Sequence, residues 1–231
     1  MLTLRPHSAL LRLSLVALVC ALLFTTRAGA QKGPNANQLS PLEQEIYQEI
    51  NLARTHPQEY VAYLEQLRPF FKGNAFQPPG HPALTTQEGI SALDEAIRAL
   101  RQTQPLKPYD LSKGMCLGAN VLVKDQGPKG LTGHKGTDGS YCEQRIERFG
   151  TWQGTVGENL SYGKDTARER IMTLLIDDGV ANRGHRTRLL SADYKVVGVS
   201  CGEHAQLGTM CVITFAEGYR DKQAGGAYSF E

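Results

Sequence analysis

From residue 40 onward, apolar side chains recur first at helical and later at strand spacing. Ser40-Pro41-Leu42-Glu43 supplies an N-cap, a proline for the first turn and a capping-box glutamate. Leu42, Ile46, Ile50 and Ala53 follow on one stripe, which predicts a helix to about Thr55. His56-Pro57 breaks it, and a second helix carries Tyr60, Val61, Leu64 and Leu67. The proline-rich stretch from Pro69 to Pro82 reads as an irregular loop. Thr85 with Glu88 reads as another capping box, opening a helix with Ile90, Leu93, Ile97 and Leu100 inward. A fourth helical pattern runs from about Leu111 to Asp125, with Met115, Ala119, Leu122 and Val123 on its apolar side.

Glycine then becomes frequent and the period changes. Thr155–Tyr162, Lys195–Ser200 and Met210–Ala216 read as strands, the last two as nearly continuous apolar runs suited to burial on both faces. Between the first two lies a helix from Thr166 to about Asp177, capped by Asp165 and ended by Gly179. Helices before, between and around a small sheet predict an α+β layered sandwich.

Ahead of this domain, Arg5 and Arg12 precede the apolar run Leu13–Phe24, and Ala28-Gly29-Ala30 offers a small-residue cleavage site. Residues 1–30 therefore read as a secretory signal peptide, the run being short of the roughly 20 apolar residues of a membrane span. Residues 31–39 read as a flexible lead-in and 40–231 as a single domain, exported to the extracellular space or periplasm, without a transmembrane anchor after cleavage and monomeric. The signal holds Arg5, Arg12 and Arg27 and no acid, so the chain's 25 basic and 23 acidic side chains become 22 and 23 after cleavage. The apparent basicity leaves with the signal, and with it any electrostatic case for a nucleic-acid partner.

Four cysteines remain, Cys116, Cys142, Cys201 and Cys211, an even number that suggests two disulfides in an exported chain. An antiparallel hairpin with Val199 against Ile213 and Val197 against Phe215 also sets Cys201 against Cys211. The expected bridges are therefore Cys201–Cys211 and Cys116–Cys142.

No phosphate-binding loop, dinucleotide fingerprint or H-E-x-x-H motif is present, which leans against an enzyme. What stands out is His134 in LTGHKG, Glu158 between Gly157 and Asn159, Asp177-Asp178 at a helix end, and His185 in RGHR. Asp178 continues the stripe Ala167, Ile171, Leu174, so the helical spacing aims its carboxylate inward, with Asp177 on the solvated side. A buried anion at a helix C-terminus needs a cation, a metal or strong donors.

The same residues carry a resemblance. GENL at 157–160, a histidine upstream, and Gly184-His185-Arg186 followed by Leu189-Leu190 resemble the CAP superfamily of cysteine-rich secretory, antigen 5 and pathogenesis-related proteins. The resemblance implies a three-layer α-β-α sandwich whose cleft is lined by His134, Glu158, Asp178 (or Asp177) and His185. It departs after His185, where an aromatic-rich block is replaced by Arg186-Thr187-Arg188-Leu189-Leu190, as in the bacterial branch.

Three functions follow as expectations. The leading one is a secreted module binding a small lipid-like or glycan ligand, with a cleft able to hold a divalent metal such as Zn. The second is a metal-dependent hydrolase in which His134 and His185 hold the ion, Glu158 is the catalytic base and Asp178 orients the ligand. The third is a structural domain whose His/acid group is a buried polar network.

Overall fold

The computed structural model describes residues 39–80 and 82–222, all within one compact unit. The expected signal peptide and nearly all of the lead-in lie outside the described residues. In chain order the elements are α1 (Pro41–Thr55), α2 (Pro57–Glu65), β1 (Phe71–Lys72), β2 (Ala75–Phe76), β3 (Leu84–Thr85), α3 (Ile90–Gln102), β4 (Asp110–Leu111) and α4 (Lys113–Gln126). There follow α5 (Cys142–Glu147), β5 (Gly150–Gly163), α6 (Ala167–Ile176), α7 (Gly184–Leu189), β6 (Val196–His204) and β7 (Gly208–Asp221). The strands form a main sheet of order β4-β6-β7-β5 and a small antiparallel sheet β1-β2-β3.

Alternation along β7 divides the core. Cys211, Ile213 and Phe215 point to one face, where they join Val197 and Val199 of β6 under α1, α2, α3 and α6. Met210, Val212 and Ala216 point to the other, against Ala119 and Leu122 of α4 and Met115, Cys142 and Ile146. Helices cover both faces, so the fold is the expected α+β three-layer α-β-α sandwich. α4 sits so close to the sheet that a Cβ on Gly198 would meet the backbone of Met115 and Cys116.

The hairpin register is the one read from the sequence. Val197 pairs with Phe215, Val199 with Ile213 and Cys201 with Cys211, and the last pair is disulfide-bonded. The second expected bridge is corrected: Cys116 and Cys142 are both free thiols. The Cys116 sulfur accepts the Val199 N–H at the β6 edge, whereas the Cys142 thiol lies against the Gly157 carbonyl of β5. β6 and β5 flank β7, so two strand spacings of about 4.8 Å separate them, beyond the roughly 7 Å Cα limit of a disulfide.

β4 pairs with β6 only at Asp110–Val196 and Leu111–Val197, which leaves the rest of that edge to be covered. Side chains cover it. Beyond the Cys116 contact, Glu43 Oε1 accepts the Cys201 N–H at 2.8 Å while its Oε2 closes the α1 capping box on Ser40 N at 2.7 Å. One carboxylate thus caps a helix and blunts an exposed strand edge.

Local departures have local causes. Thr85 lies in β3 and caps nothing; α3 starts after Gly89, and Glu88 is drawn instead to Arg183 and the Gly179 N–H. The cap of α6 is Thr166, in a capping box with Glu169, one residue after the expected Asp165. The proline-rich loop contains β1 and β2, with the rings of Phe71 and Phe76 packed 4.6 Å apart. Among the described residues no helix is long and apolar enough to cross a membrane.

Candidate functional site

His134 sits in the loop between α4 and α5, where Gly133 adopts a left-handed φ of 100° and donates its N–H to the Tyr162 hydroxyl at 3.1 Å. Burial raises the Tyr162 pKa, so this hydroxyl stays neutral. The His134 ring is about half exposed, and its Nδ1 lies 2.9 Å from Glu158 Oε1. The other Glu158 oxygen accepts from Arg145 Nη2 at 2.6 Å. Arg145, almost wholly buried, also donates Nη1 to the carbonyls of His134 and Ser140. This guanidinium ties α5, the histidine loop and β5 together, and it neutralises the buried Glu158 charge.

His185 is held by a different acid. Asp177 Oδ1 lies 2.6 Å from His185 Nδ1, and Asp177 Oδ2 accepts the backbone N–H of His185 at 2.8 Å and of Arg186 at 3.3 Å. The expected acid, Asp178, accepts instead the N–H groups of Gln87 at 2.6 Å and Glu88 at 2.8 Å. This corrects the helical-stripe reading, and the reason is local. α6 ends at Ile176, and Asp177 takes a left-handed cap conformation at φ 57°, ψ 43°. Helical phase stops there, so the two carboxylates exchange the directions that continued spacing assigns them.

β5 joins the two histidine sites. Glu158 reaches His134, while the next residue, the fully buried Asn159, donates its side-chain amide to the His185 carbonyl at 3.0 Å. Adjacent strand residues project to opposite faces, so each histidine is anchored from its own side of the edge strand.

A cavity of about 610 Å³ opens beside His185. Its wall is mainly apolar, with Leu67, Phe71, Phe76 and Leu84 and with Met172 and Ile176 of α6 among its lining residues. Asp177, Asp178 and His185 also line it, with Asp165 and Glu169; His134 and Glu158 do not.

The sequence profile of the cysteine-rich secretory protein (CAP) family matches residues 95–215. The chain belongs to the CAP family. The matched stretch begins within α3 and ends in β7, so it holds both histidines, Glu158, Asp177 and Asp178. No curated protein sequence matches the chain. Among solved structures, the chain is similar to an extracellular SCP-domain protein from Bacillus anthracis str. Ames, at 18% identity over 54% of this chain with a TM-score of 0.38. It spans 37% of that protein's length. It is also similar to an outer surface protein from Borrelia burgdorferi, at 17% identity over 55% of this chain and 89% of that one, with a TM-score of 0.42.

This CAP domain does not offer a metal the donor set that the sequence suggested. Both oxygens of Glu158 and of Asp177 are taken by neighbouring donors, and each histidine uses Nδ1 on its acid. Two imidazole Nε2 atoms remain, short of the three or four protein donors of zinc centres. Among the described residues no group of three or more His, Cys, Asp or Glu side chains could hold an ion. The residues do not fit a divalent-metal centre built from all four side chains.

Two site residues escaped the sequence reading. Arg145 lies in a helix of six residues, too short to show a period, and Asn159 sat inside the GENL motif without an assigned partner.

Proposed function

We propose that this CAP domain is an exported binding module whose ligand is small and lipid-like, seated in the apolar cavity beside His185. The observation that carries the reading is the wall chemistry. Leu67, Phe71, Phe76, Leu84, Met172 and Ile176 supply apolar surface, and polar groups that include Asp165, Glu169, Asp177 and His185 share the lining. A mainly apolar wall with a few polar groups suits a ligand with an apolar body and a polar group. The larger apolar share of the wall favours the lipid-like class over a glycan.

The hydrolase reading is less favoured, because Glu158 is buried and each of its oxygens already accepts a hydrogen bond, one from Arg145 and one shared with His134. Export is part of the proposal and rests on residues 1–30 of the sequence. Native mass spectrometry of the purified protein, followed by organic extraction, tests the module. An apolar small molecule that leaves on extraction and is absent from a Met172→Arg variant supports it. Empty protein that takes up no added amphiphile refutes it.

A further inference from the structure

Three arginines stand at or within α7, and two of them are spent on acids. Arg183 pairs with Glu88 and Glu95, and Arg186 pairs with Glu95 and donates to the Leu175 carbonyl. Arg188 is half-buried, yet among the described residues its side chain has no hydrogen bond and no ion pair. Its position is nonetheless defined. Cδ and Nε pass 2.9 and 3.0 Å from the point where a Cβ on Gly157 would stand, and Nη1 lies 3.1 Å from the same point on Gly184. The guanidinium therefore stretches from the first residue of GENL to the residue before His185, and a glycine at each end makes the room.

The acids nearby do not neutralise it. Glu158 follows Gly157, but both its oxygens are turned to Arg145 and His134. Asp177 is used by His185 and Arg186. A cation partly withdrawn from water without a counter-charge is open to an anionic partner, and its planar fork matches two oxygens of a carboxylate or phosphate. The Tyr194 hydroxyl, 2.9 Å from the same Gly157 position, stands beside the guanidinium as a second potential hydrogen-bond donor. We propose that Arg188, with Tyr194, binds an oxyanion of the carboxylate or phosphate class in the seam between Gly157 and Gly184. This site does not depend on the occupant of the apolar cavity, whose lining excludes Arg188.

The test titrates the isotope-labelled protein at low ionic strength with inorganic phosphate, and separately with acetate, while following the Gly157 and Gly184 amides and the Arg188 Nε–H by NMR. Saturable shifts at these three groups are expected. Arg188→Gln should weaken them by roughly tenfold or more, the scale of a lost hydrogen bond to a charged group. Arg148→Gln, at an exposed arginine paired with Asp138, should leave them unchanged. A second arm sediments phosphatidylcholine vesicles doped with phosphatidic acid. Response to free phosphate or acetate assigns the oxyanion to a small molecule; Arg188-dependent sedimentation without that response assigns it to a lipid headgroup. No response in either arm, or equal losses in the Arg188→Gln and Arg148→Gln variants, overturns the proposal. Should Arg188→Gln fail to fold, the wild-type shift map decides: shifts centred on Gly157, Gly184 and Arg188 support the site, and shifts elsewhere refute it.

Discussion

Asp177 binds His185 twice, through the ring Nδ1 at 2.6 Å and through the backbone N–H at 2.8 Å. One carboxylate thereby caps the start of α7 and fixes which ring nitrogen faces away. Asp177→Asn removes the charge and one acceptor from a buried position, and a loss of about 1.5–3 kcal/mol is expected. Asp178→Asn, whose bonds to Gln87 and Glu88 lie nearer solvent, should cost about 1 kcal/mol. Urea denaturation of both variants checks the order; an equal or larger loss at Asp178 contradicts the assignment.

Arg145 and Glu158 form a buried pair with side chains 1% and 3% exposed. Glu158→Gln leaves the guanidinium without its counter-charge, so about 3–5 kcal/mol of stability should go. The double variant Arg145→Met with Glu158→Gln should lose less than the two single losses added together, because the second change removes an ion already stranded. Additive losses would show that the pair is not coupled.

The two thiols should be silent in the folded protein. Burial pushes the Cys116 thiol up to about 11 and the Cys142 thiol well above its ordinary value, so both are protonated near pH 8, where thiolate chemistry is assayed. A colorimetric thiol reagent should find neither until denaturant is added. Cys201 and Cys211 should respond only after reduction. Reaction of Cys116 in the native state would contradict its placement against Val199.

Glu88 sets a pH dependence. Its bonds to Arg183 and the Gly179 N–H lower its pKa from 4.5 to about 2. The folded pKa lies below the unfolded one, so its contribution is complete above about pH 4.5 and is lost as pH falls toward 2. Glu88→Gln should flatten the stability profile in that window and leave the profile above it unchanged in shape. An identical acid limb in the variant would refute this.

These residues also mark where sequence pattern stopped being informative. The Val197–Phe215 and Val199–Ile213 pairs followed from strand alternation, because one slip in register would turn Cys201 and Cys211 to the wrong face. The long helices α1 and α4 followed from stripes several turns long. The histidines and Glu158 were visible through the GENL resemblance. Asp177 was assigned to the wrong side because a single left-handed residue resets the direction of every later side chain. The Cys116–Cys142 pairing rested on elimination, which carries no information about which strand each thiol faces.

Binding in the apolar cavity is the claim on which the functional account stands. Its most direct test is a fluorescence titration with cis-parinaric acid, comparing the wild type with Met172→Arg and Phe76→Asp, which place charges on the lining of the cavity from two different elements. Saturable fluorescence enhancement in the wild type, abolished in both variants while their circular dichroism is unchanged, is the predicted result. Absence of saturable binding in the wild type, or undiminished binding in both folded variants, would contradict the account.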